Sequence, residues 1–174
     1  MSSDTRHRIL EAVRDLLVAG GPSSVTLEAA AERAEISKGG LLYHFPSKSA
    51  LYIGLLEDAR DTVDAEMTKR AANGDAARAF LEYATPDSDT EGGFFTSLMA
   101  AVRTGEDADP DAIRVLGESF DAWEKPMRTA VADPVQSEII RLVGNGLYLT
   151  AIAGLPQPDP ELLKQVFDRL LADI

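Results

Sequence analysis

The sequence has no cysteine, only two histidines and no long apolar run. Without cysteine, disulfides and thiolate chemistry are excluded, which fits a cytoplasmic protein. His7 and His44 are too few for a histidine-based metal site, so we expect no metal. No stretch of eighteen apolar residues occurs, so we expect no membrane span. The opening residues, MSSDTRHRIL, lack a basic segment followed by an apolar one, so no secretory signal is expected either.

Sequence motifs of catalysis are also missing. The stretch GNGLYL at residues 144–149 lacks the third glycine of a dinucleotide-binding turn, and there is no Walker A motif. The patterns GxSxG, HExxH and ExxH are absent as well. We therefore expect no cofactor, and an enzyme is the least favoured class of function.

Charge is distributed unevenly along this chain of net charge −12. Residues 1–50 hold six basic and six acidic groups, which leaves 11 basic and 23 acidic groups in residues 51–174. The whole negative excess therefore lies in the C-terminal part. Such a chain could contact a polyanion only through its neutral N-terminal segment. The alternative is that the acidic part is simply a solvated surface.

An apolar period of 3.6 residues runs through nearly the whole chain, which predicts an all-α protein. Asp-Pro pairs at 109–110, 133–134 and 159–160 indicate helix starts, because aspartate caps a helix and proline suits its first position. Pro126 should kink its helix or break it in two. The predicted helices span residues 5–19, 26–34, 38–45, 48–72, 75–84, 92–104, 110–131, 135–153 and 160–172, with loops at 85–93 and 103–110.

Residues 26–45 fit a helix, a three-residue turn and a second helix, with a supporting helix before them. This is the helix-turn-helix arrangement, whose second helix enters the major groove of DNA. Gly39 and Gly40 remove bulk from the first turn of that helix, so its backbone can come close to bases. Lys38 and Lys48 flank the helix as cations for phosphates, or in the case of Lys38 for a guanine edge. Spacing alone is a weak signal, since many helical hairpins share it.

The segment TLEAAAERAEISKGGLLYHFPSKSAL, residues 26–51, resembles the DNA-binding domain of the TetR family of bacterial transcriptional regulators. The resemblance covers about residues 5–55. Its motif is specific, because about ten positions match without a gap. The matching positions are Thr26, Ala31, Ala34, Ser37, Gly39, Leu41, Phe45, Ser47, Lys48 and Leu51.

Several positions depart from the family pattern. Glu35 replaces the usual turn glycine, so a residue that disfavours the left-handed conformation must adopt it. Ala30 stands where a larger aliphatic residue is common. Leu42 occupies the place of a phosphate-binding tyrosine, and Tyr43 follows one step later, about 100° around the helix. Leu42 could contact a thymine methyl group or simply pack.

The resemblance implies an N-terminal three-helix DNA-binding domain over residues 1–50, with its helix-turn-helix at about 26–45. A helix to about 72 would link it to a C-terminal helical effector-binding and dimerisation domain over 51–174. A sequence-specific regulator is implied, in the usual sense a repressor that a small molecule releases from a pseudo-palindromic operator on double-stranded DNA. The residues expected at DNA are Thr26, Ser37, Lys38, Gly39, Gly40, Leu42, Tyr43, His44 and Lys48.

Each of these residues also has a purely structural interpretation. Thr26 and Ser37 could serve only as helix caps, while His44 and Lys48 could be ordinary surface residues. The alternative function is a helical adaptor or ligand-binding protein that does not bind DNA. The neutral N-terminal segment and Leu42 keep that alternative open.

The resemblance also implies a homodimer, formed by the last two long helices as a four-helix bundle. The apolar positions expected at that interface could instead belong to the intramolecular core; they are Ile139, Leu142, Val143, Gly146, Leu147, Leu163, Val166, Phe167 and Leu170. Ring and methionine side chains of the C-terminal part are candidates for an effector pocket, or again for core. These are Phe80, Tyr83, Phe94, Phe95, Met99, Phe120, Trp123, Met127 and Tyr148. With the negative charge of this part, they suggest an apolar or weakly cationic effector.

Overall fold

The structure is a computed structural model that describes residues 2–85, 89–103, 109–172 and 174. Within these ranges the chain is helical and contains no strand, which confirms the all-α prediction. The helices of the described residues are α1 (Ser2–Gly20), α2 (Leu27–Arg33), α3 (Lys38–His44), α4 (Lys48–Ala72), α5 (Ala76–Tyr83), α6 (Asp89–Arg103), α7 (Pro110–Ala130), α8 (Pro134–Ile152) and α9 (Pro160–Leu170).

The three Asp-Pro pairs begin helices as predicted. In each case the carboxylate of Asp109, Asp133 or Asp159 accepts a hydrogen bond from the backbone N–H two residues further on, at 2.8–3.1 Å. Each bond satisfies a donor that the first helical turn leaves unpaired. The sequence signal thus fixes the starts of α7, α8 and α9.

One expectation about a helix start is wrong. α6 begins at Asp89, inside the predicted loop 85–93. Glycine costs a helix only about 1 kcal/mol per residue, and burial of Phe94 and Leu98 on α6 offsets that cost. α7 continues through Pro126, with Met127 buried directly after it, so the helix is not broken in two there. A kink at Pro126, the other predicted outcome, stays a prediction. Residues 86–88 and 104–108 of the predicted loops lie outside the described residues.

The chain packs as two compact units. The first comprises Met1–Ala59 and Gly93–Gly117, and the second comprises Arg60–Gly92 and Glu118–Ile174. Helices α4, α6 and α7 therefore each contribute to both units. The domain limit expected at residue 50 rests on the resemblance to a DNA-binding domain and not on packing, and it stays a prediction.

The core of the first unit is built on α1. Ile9, Val13 and Leu17 are fully buried on one face of this helix, as its apolar period predicts. Gly54 of α4 permits a close approach, because a Cβ atom there would lie 2.6 Å from the Phe45 ring. Phe45 can therefore close the end of α3 against α4, and this packing holds the helix-turn-helix in place.

The core of the second unit forms around Trp123 and Phe80. Their rings stack at a centroid distance of 4.4 Å, and the indole N–H of Trp123 donates to the Phe80 carbonyl at 3.1 Å. Gly144 of α8 faces the Phe80 ring so closely that any Cβ atom would collide with it. The absence of a side chain at Gly144 therefore lets α8 pack against α5.

Candidate functional site

Both helices of the helix-turn-helix begin at a capping hydroxyl group. Thr26 Oγ1 accepts a hydrogen bond from the Ala29 N–H at 3.0 Å, and Ser37 Oγ accepts one from the Gly40 N–H at 3.1 Å. α2 and α3 have only seven residues each. Helices this short depend on caps and tertiary packing. The capping role is confirmed, and a contact of either hydroxyl with DNA stays a prediction.

The turn between α2 and α3 contains the left-handed residue that the sequence predicts. Glu35 has φ 54°, a conformation that favours glycine. The turn is closed by the Ile36 N–H, which donates to the Ala31 carbonyl at 3.0 Å. Arg8 of α1 donates to the Ala34 carbonyl at 2.5 Å. These bonds hold the turn at a position where the residue itself is strained.

The recognition helix α3 has one buried side and one exposed side. Leu41 is fully buried, whereas Tyr43 is 84% exposed and Leu42 is 38% exposed. Around Gly39, apart from the adjacent residues and the backbone of its own helix, no described atom lies within 4 Å of where a Cβ would be. Leu42 therefore does not pack into the core. We call the side formed by Lys38, Gly39, Gly40, Leu42 and Tyr43 the reading surface.

The two lysines that flank α3 are Lys38, its first residue, and Lys48, the first residue of α4, and both are engaged within the chain. Lys38 Nζ lies 2.5 Å from Oε1 of Glu28, which belongs to the first turn of α2. Lys48 Nζ donates to the Pro22 carbonyl at 3.3 Å and lies 5.7 Å from the centroid of the Tyr52 ring. Because its side chain is anchored, Lys48 presents its charge beside the turn that precedes Thr26. The Lys38 contact is with a carboxylate, so it affects the charge of the reading surface directly.

His44, also expected at DNA, is the last residue of α3 and is half-buried. Its ring meets the Tyr43 ring edge-on, with centroids 5.2 Å apart. The His44 ring therefore lies beside the exposed Tyr43 ring at the C-terminal end of α3. Contact of His44 with DNA stays a prediction.

Four rings of the second unit form an aromatic cluster, which consists of Phe80, Phe120, Trp123 and Tyr148. Apart from the stacked Phe80–Trp123 pair, the ring centroids are 5.5–6.0 Å apart in tilted or edge-on arrangements. Phe120 and Tyr148 are half-buried, so the cluster has an accessible side. Of the other candidates for an effector pocket, Met127 is fully buried beside these rings and Tyr83 is 37% exposed.

A polar group neighbours the aromatic cluster along the chain, because Glu124 follows Trp123 and Asn145 stands three residues before Tyr148 on α8. Glu124 is only 8% exposed, and its Oε1 accepts a hydrogen bond from Asn145 Nδ2 at 3.0 Å. The guanidinium groups of Arg128 and Arg141 stand 3.4 and 3.8 Å from the same carboxylate. Asn145 Oδ1 is buried and, among the described residues, has no hydrogen-bond partner. A buried acceptor without a donor is costly.

The remaining pocket candidates belong to the first unit. Phe94 is buried in the core of that unit, where the Arg14 guanidinium lies 4.4 Å from its ring centroid. Phe95 contacts the Phe94 ring at 5.1 Å between centroids, and Met99 is half-buried on the same helix. The structure thus divides the nine candidates between the two units.

The positions expected at a dimer interface also divide, by exposure. Ile139, Leu142, Gly146 and Val166 are exposed. The remaining five face the core of the second unit: Phe167 is buried, and the half-buried residues that pack around it are Val143, Leu147, Leu163 and Leu170.

Further exposed apolar residues extend this set. We define the apolar face as Val135, Ile139, Leu142, Gly146 and Leu149 of α8 with Leu162 and Val166 of α9. Its α8 positions alternate steps of four and three residues, which is the spacing of a helix seam that packs against another helix. Leu142 and Leu149 are each 58% exposed, and Val135 is 65% exposed. Monomeric proteins rarely expose so continuous an apolar stripe.

Two comparisons of sequence with known families agree with this geometry. Residues 9–55 match the bacterial regulatory proteins of the tetR family. Residues 74–174, more than half of the chain, match the tetracyclin repressor-like C-terminal domain. The chain belongs to the TetR family. That family is one of transcriptional regulators, not of enzymes.

Curated relatives are similar to this TetR-family chain over a third to two fifths of its length. The transcriptional repressor KstR of Mycolicibacterium smegmatis is 39% identical over 69 residues, which are 40% of this chain and 33% of the relative. The transcriptional regulator RutR of Escherichia coli strain K12 is 44% identical over 59 residues, or 34% of this chain and 28% of RutR. The match thus spans about a third of the length of each relative.

Solved structures resemble the TetR-family chain over nearly its full length. A transcriptional regulator from Rhodococcus sp. Rha1 has a TM-score of 0.71 at 21% identity, covering 97% of this chain and 95% of that one. The multidrug binding protein EbrR, in complex with ethidium, has a TM-score of 0.70 at 20% identity, with 95% and 97% covered. At such identities the likeness establishes the fold, with an N-terminal helix-turn-helix and a C-terminal helical domain.

Sequence reasoning about this TetR-family chain missed several residues. Val135, Leu149 and Leu162 belong to the apolar face, and the step pattern of four and three residues along α8 could have revealed the first two. Glu28 and Arg8 could not be found in this way, because their partners lie ten and 26 residues away on other elements.

Among the described residues, none of the helices combines the length and the apolar character that a membrane-spanning segment needs.

Proposed function

We propose that the chain is a sequence-specific DNA-binding transcriptional repressor that acts as a homodimer and leaves its operator when a small molecule binds. The observation that carries this proposal is the reading surface: a short recognition helix, capped by Ser37, that exposes glycine backbone, a tyrosine ring and a lysine within a segment matching the TetR family. Such a regulator would meet its operator in the bacterial cytoplasm, and no enzymatic activity is proposed.

The proposed contacts follow from the faces of α3. Its first turn, Lys38 to Gly40, would face base edges, because two glycines let the backbone approach the major groove. Leu42 is exposed and offers a methyl contact to thymine. Tyr43 and Lys48 would anchor phosphates, so they would set the register rather than read sequence.

The N-terminal caps and the last residue of α3 complete the proposed set. Thr26 and Ser37 are exposed hydroxyls at the starts of α2 and α3, where backbone N–H groups and the helix dipole favour a phosphate. Their capping bonds leave lone pairs and the hydroxyl proton for a second partner. His44 would add a polar edge beside Tyr43.

The apolar face supports the proposed homodimer. A two-fold arrangement of α8 and α9 would bury Leu142 and Leu149 against their own copies in a four-helix bundle, while Ile139 and Val166 extend the contact. Two recognition helices related by that axis would read two half-sites, so the operator would be pseudo-palindromic.

The aromatic cluster with Glu124 and Asn145 supports an effector of mixed character. The rings of Phe120 and Tyr148 offer an apolar, half-accessible side. Asn145 Oδ1 needs a donor, and the Glu124 carboxylate is already close to two guanidinium groups. We therefore propose an apolar molecule with an N–H or O–H donor, neutral or weakly cationic.

Selection of bound duplexes from a random DNA pool at moderate salt tests the function. The parent chain should enrich an inverted repeat, and Tyr43→Ala and Lys48→Ala should weaken binding to it about tenfold each, because each loses a phosphate anchor. Lys69→Ala is the matched control, since Lys69 is an exposed lysine further along the same helix α4. It should bind as the parent does. If the parent enriches no inverted repeat, the adaptor function is favoured instead.

A further inference from the structure

The contact between Lys38 and Glu28 places a donor and an acceptor side by side on the exposed surface of the helix-turn-helix. The two side chains come from the first turns of α3 and α2, and more than half of each is exposed. The hydrogen bond from Lys38 is the main cause that holds the pKa of Glu28 below its ordinary value. The carboxylate is therefore ionised, and the surface that would face DNA carries a negative charge next to its lysine.

Stability of the fold gives little reason for this pair. Exposed ion pairs contribute little to folding, because solvent screens the charges and the long side chains lose freedom. Toward the phosphate backbone the carboxylate is unfavourable, since it cancels the lysine charge and repels phosphates. A carboxylate at this place needs a different partner if it is to favour binding.

A base pair of the major groove supplies such a partner. Guanine presents N7 and O6 as acceptors, and the cytosine paired with it presents its N4 amino group as a donor. A lysine beside a glutamate offers the complementary order, a donor for guanine and an acceptor for cytosine. If thymine stood in place of cytosine, its O4 acceptor would face the carboxylate, which is also an acceptor. A base pair with thymine at that place is therefore disfavoured.

We propose that Glu28 and Lys38 act as one base-reading couple that selects a G·C pair at a fixed position of each half-site. The inference rests on the proposed function, in which α3 enters the major groove. Gly39 and Gly40, which follow Lys38, carry no side chains that would hold the couple away from the bases. Glu28 is thus a specificity-determining residue, and it reduces nonspecific binding as well.

The test compares duplex selections by the full-length parent, Glu28→Ala, Glu28→Gln and Lys38→Ala. The parent should enrich an inverted repeat with a fixed G·C pair in each half. Glu28→Ala should lower the preference for that pair roughly tenfold and admit T·A or A·T there, since one specific polar contact discriminates by about this factor. Lys38→Ala should change the same position, and the double variant should add little to either single one. Glu28→Gln, which keeps an acceptor but loses the charge, should lie between.

Two controls separate the outcomes. Glu11→Gln removes the same charge from the same unit, but Glu11 lines a separate surface groove with His7 and Arg33; its base preferences should equal those of the parent. Thermal unfolding of Glu28→Ala should match the parent, because the side chain is exposed.

Unchanged base preferences in Glu28→Ala, or a uniform loss of affinity at all positions, would overturn the couple and leave the regulator standing. Failure of the parent itself to enrich any repeat would overturn the proposed function instead. Binding of Glu28→Ala to random DNA gives a further readout. It should be several-fold tighter than that of the parent and should fall more steeply with salt.

Discussion

The reading surface of α3 and the apolar face of α8 and α9 are both exposed, but they expose different chemistry. α3 presents glycine backbone, a tyrosine ring and a lysine paired with a carboxylate. α8 presents valine, isoleucine and leucine in steps of four and three residues. The first set matches groups that DNA offers, and the second set matches only another apolar surface.

The two regions also differ in how they are held. α3 has seven residues and depends on the Ser37 cap, on Phe45 and on the Arg8 bond to the preceding turn. α8 has 19 residues, and Gly144 lets it pack closely against the Phe80 ring of the core. A short helix with an accurately fixed position suits reading, whereas a long helix with a continuous stripe suits self-association. Changes in either region should therefore separate the two properties.

The largest effect is expected at the apolar face. Leu142→Glu places two charges in the proposed dimer interface, one from each copy. The free energy of dimer association should weaken by at least about 3 kcal/mol, which is more than a hundredfold in the dissociation constant. Sedimentation equilibrium measures this change. Leu155→Glu is the matched control, because Leu155 is 56% exposed but follows α8 outside the face. If both variants associate as the parent does, the face is not the dimer interface.

A smaller effect is expected beneath α8. Gly144→Ala drives a methyl group into the Phe80 ring and should lower the free energy of unfolding by about 1–3 kcal/mol. Gly117→Ala within α7 serves as the contrast, since no described atom beyond the adjacent residues and the backbone of its own helix lies within 4 Å of its Cβ position. It should stabilise the chain by up to about 1 kcal/mol. Chemical denaturation measures both. Equal effects of the two changes would contradict the packing described for Gly144.

The turn of the reading region should respond in the opposite sense. Glu35→Gly removes the backbone strain of a residue held at φ 54°. The free energy of unfolding should rise by about 0.5–1 kcal/mol, once the entropy that glycine adds to the unfolded chain has been subtracted. Gly21→Ala is the reverse control at φ 66°, where strain alone opposes the new methyl group, and it should destabilise by about 1 kcal/mol. A destabilised Glu35→Gly variant would show that the glutamate side chain has a role beyond the turn.

The smallest effect is expected where α4 meets the start of α7. The Ser49 hydroxyl donates to Asp109 at 2.5 Å and lowers the pKa of that carboxyl. A lowered pKa stabilises the fold above the ordinary aspartate value of about 3.9, and this contribution is lost as pH falls through the lower folded value. The parent should thus be slightly more stable than Ser49→Ala at neutral pH, and the difference should shrink below about pH 4. A difference that is independent of pH would point to packing instead.

How well the sequence predicts the structure differs between these regions. The caps at Thr26, Ser37 and the three Asp-Pro pairs could be predicted, because capping depends on residues within one turn. The left-handed turn at Glu35 could be predicted from the motif. The start of α6 could not, because burial of Phe94 outweighs two glycines.

Side-chain partners on different elements were beyond sequence reasoning. The Lys38–Glu28 pair depends on the angle at which α2 and α3 meet, and the spacing of residues does not fix that angle. The ring residues were candidates for one effector pocket or for core, and Phe94 and Trp123 belong to the cores of different units. Apolar composition identifies residues that will be buried, but it does not show to which of the two cores each residue belongs.

The most direct measurement of the central claim is a hydroxyl-radical footprint of the parent chain on the duplex it enriches most. A dimer with two reading surfaces predicts two protected patches on one face of the duplex, related by two-fold symmetry. The distance between the patches should be one or more helical turns of DNA, at about 34 Å per turn. A duplex without protection, or with a single unsymmetrical patch, would contradict the account.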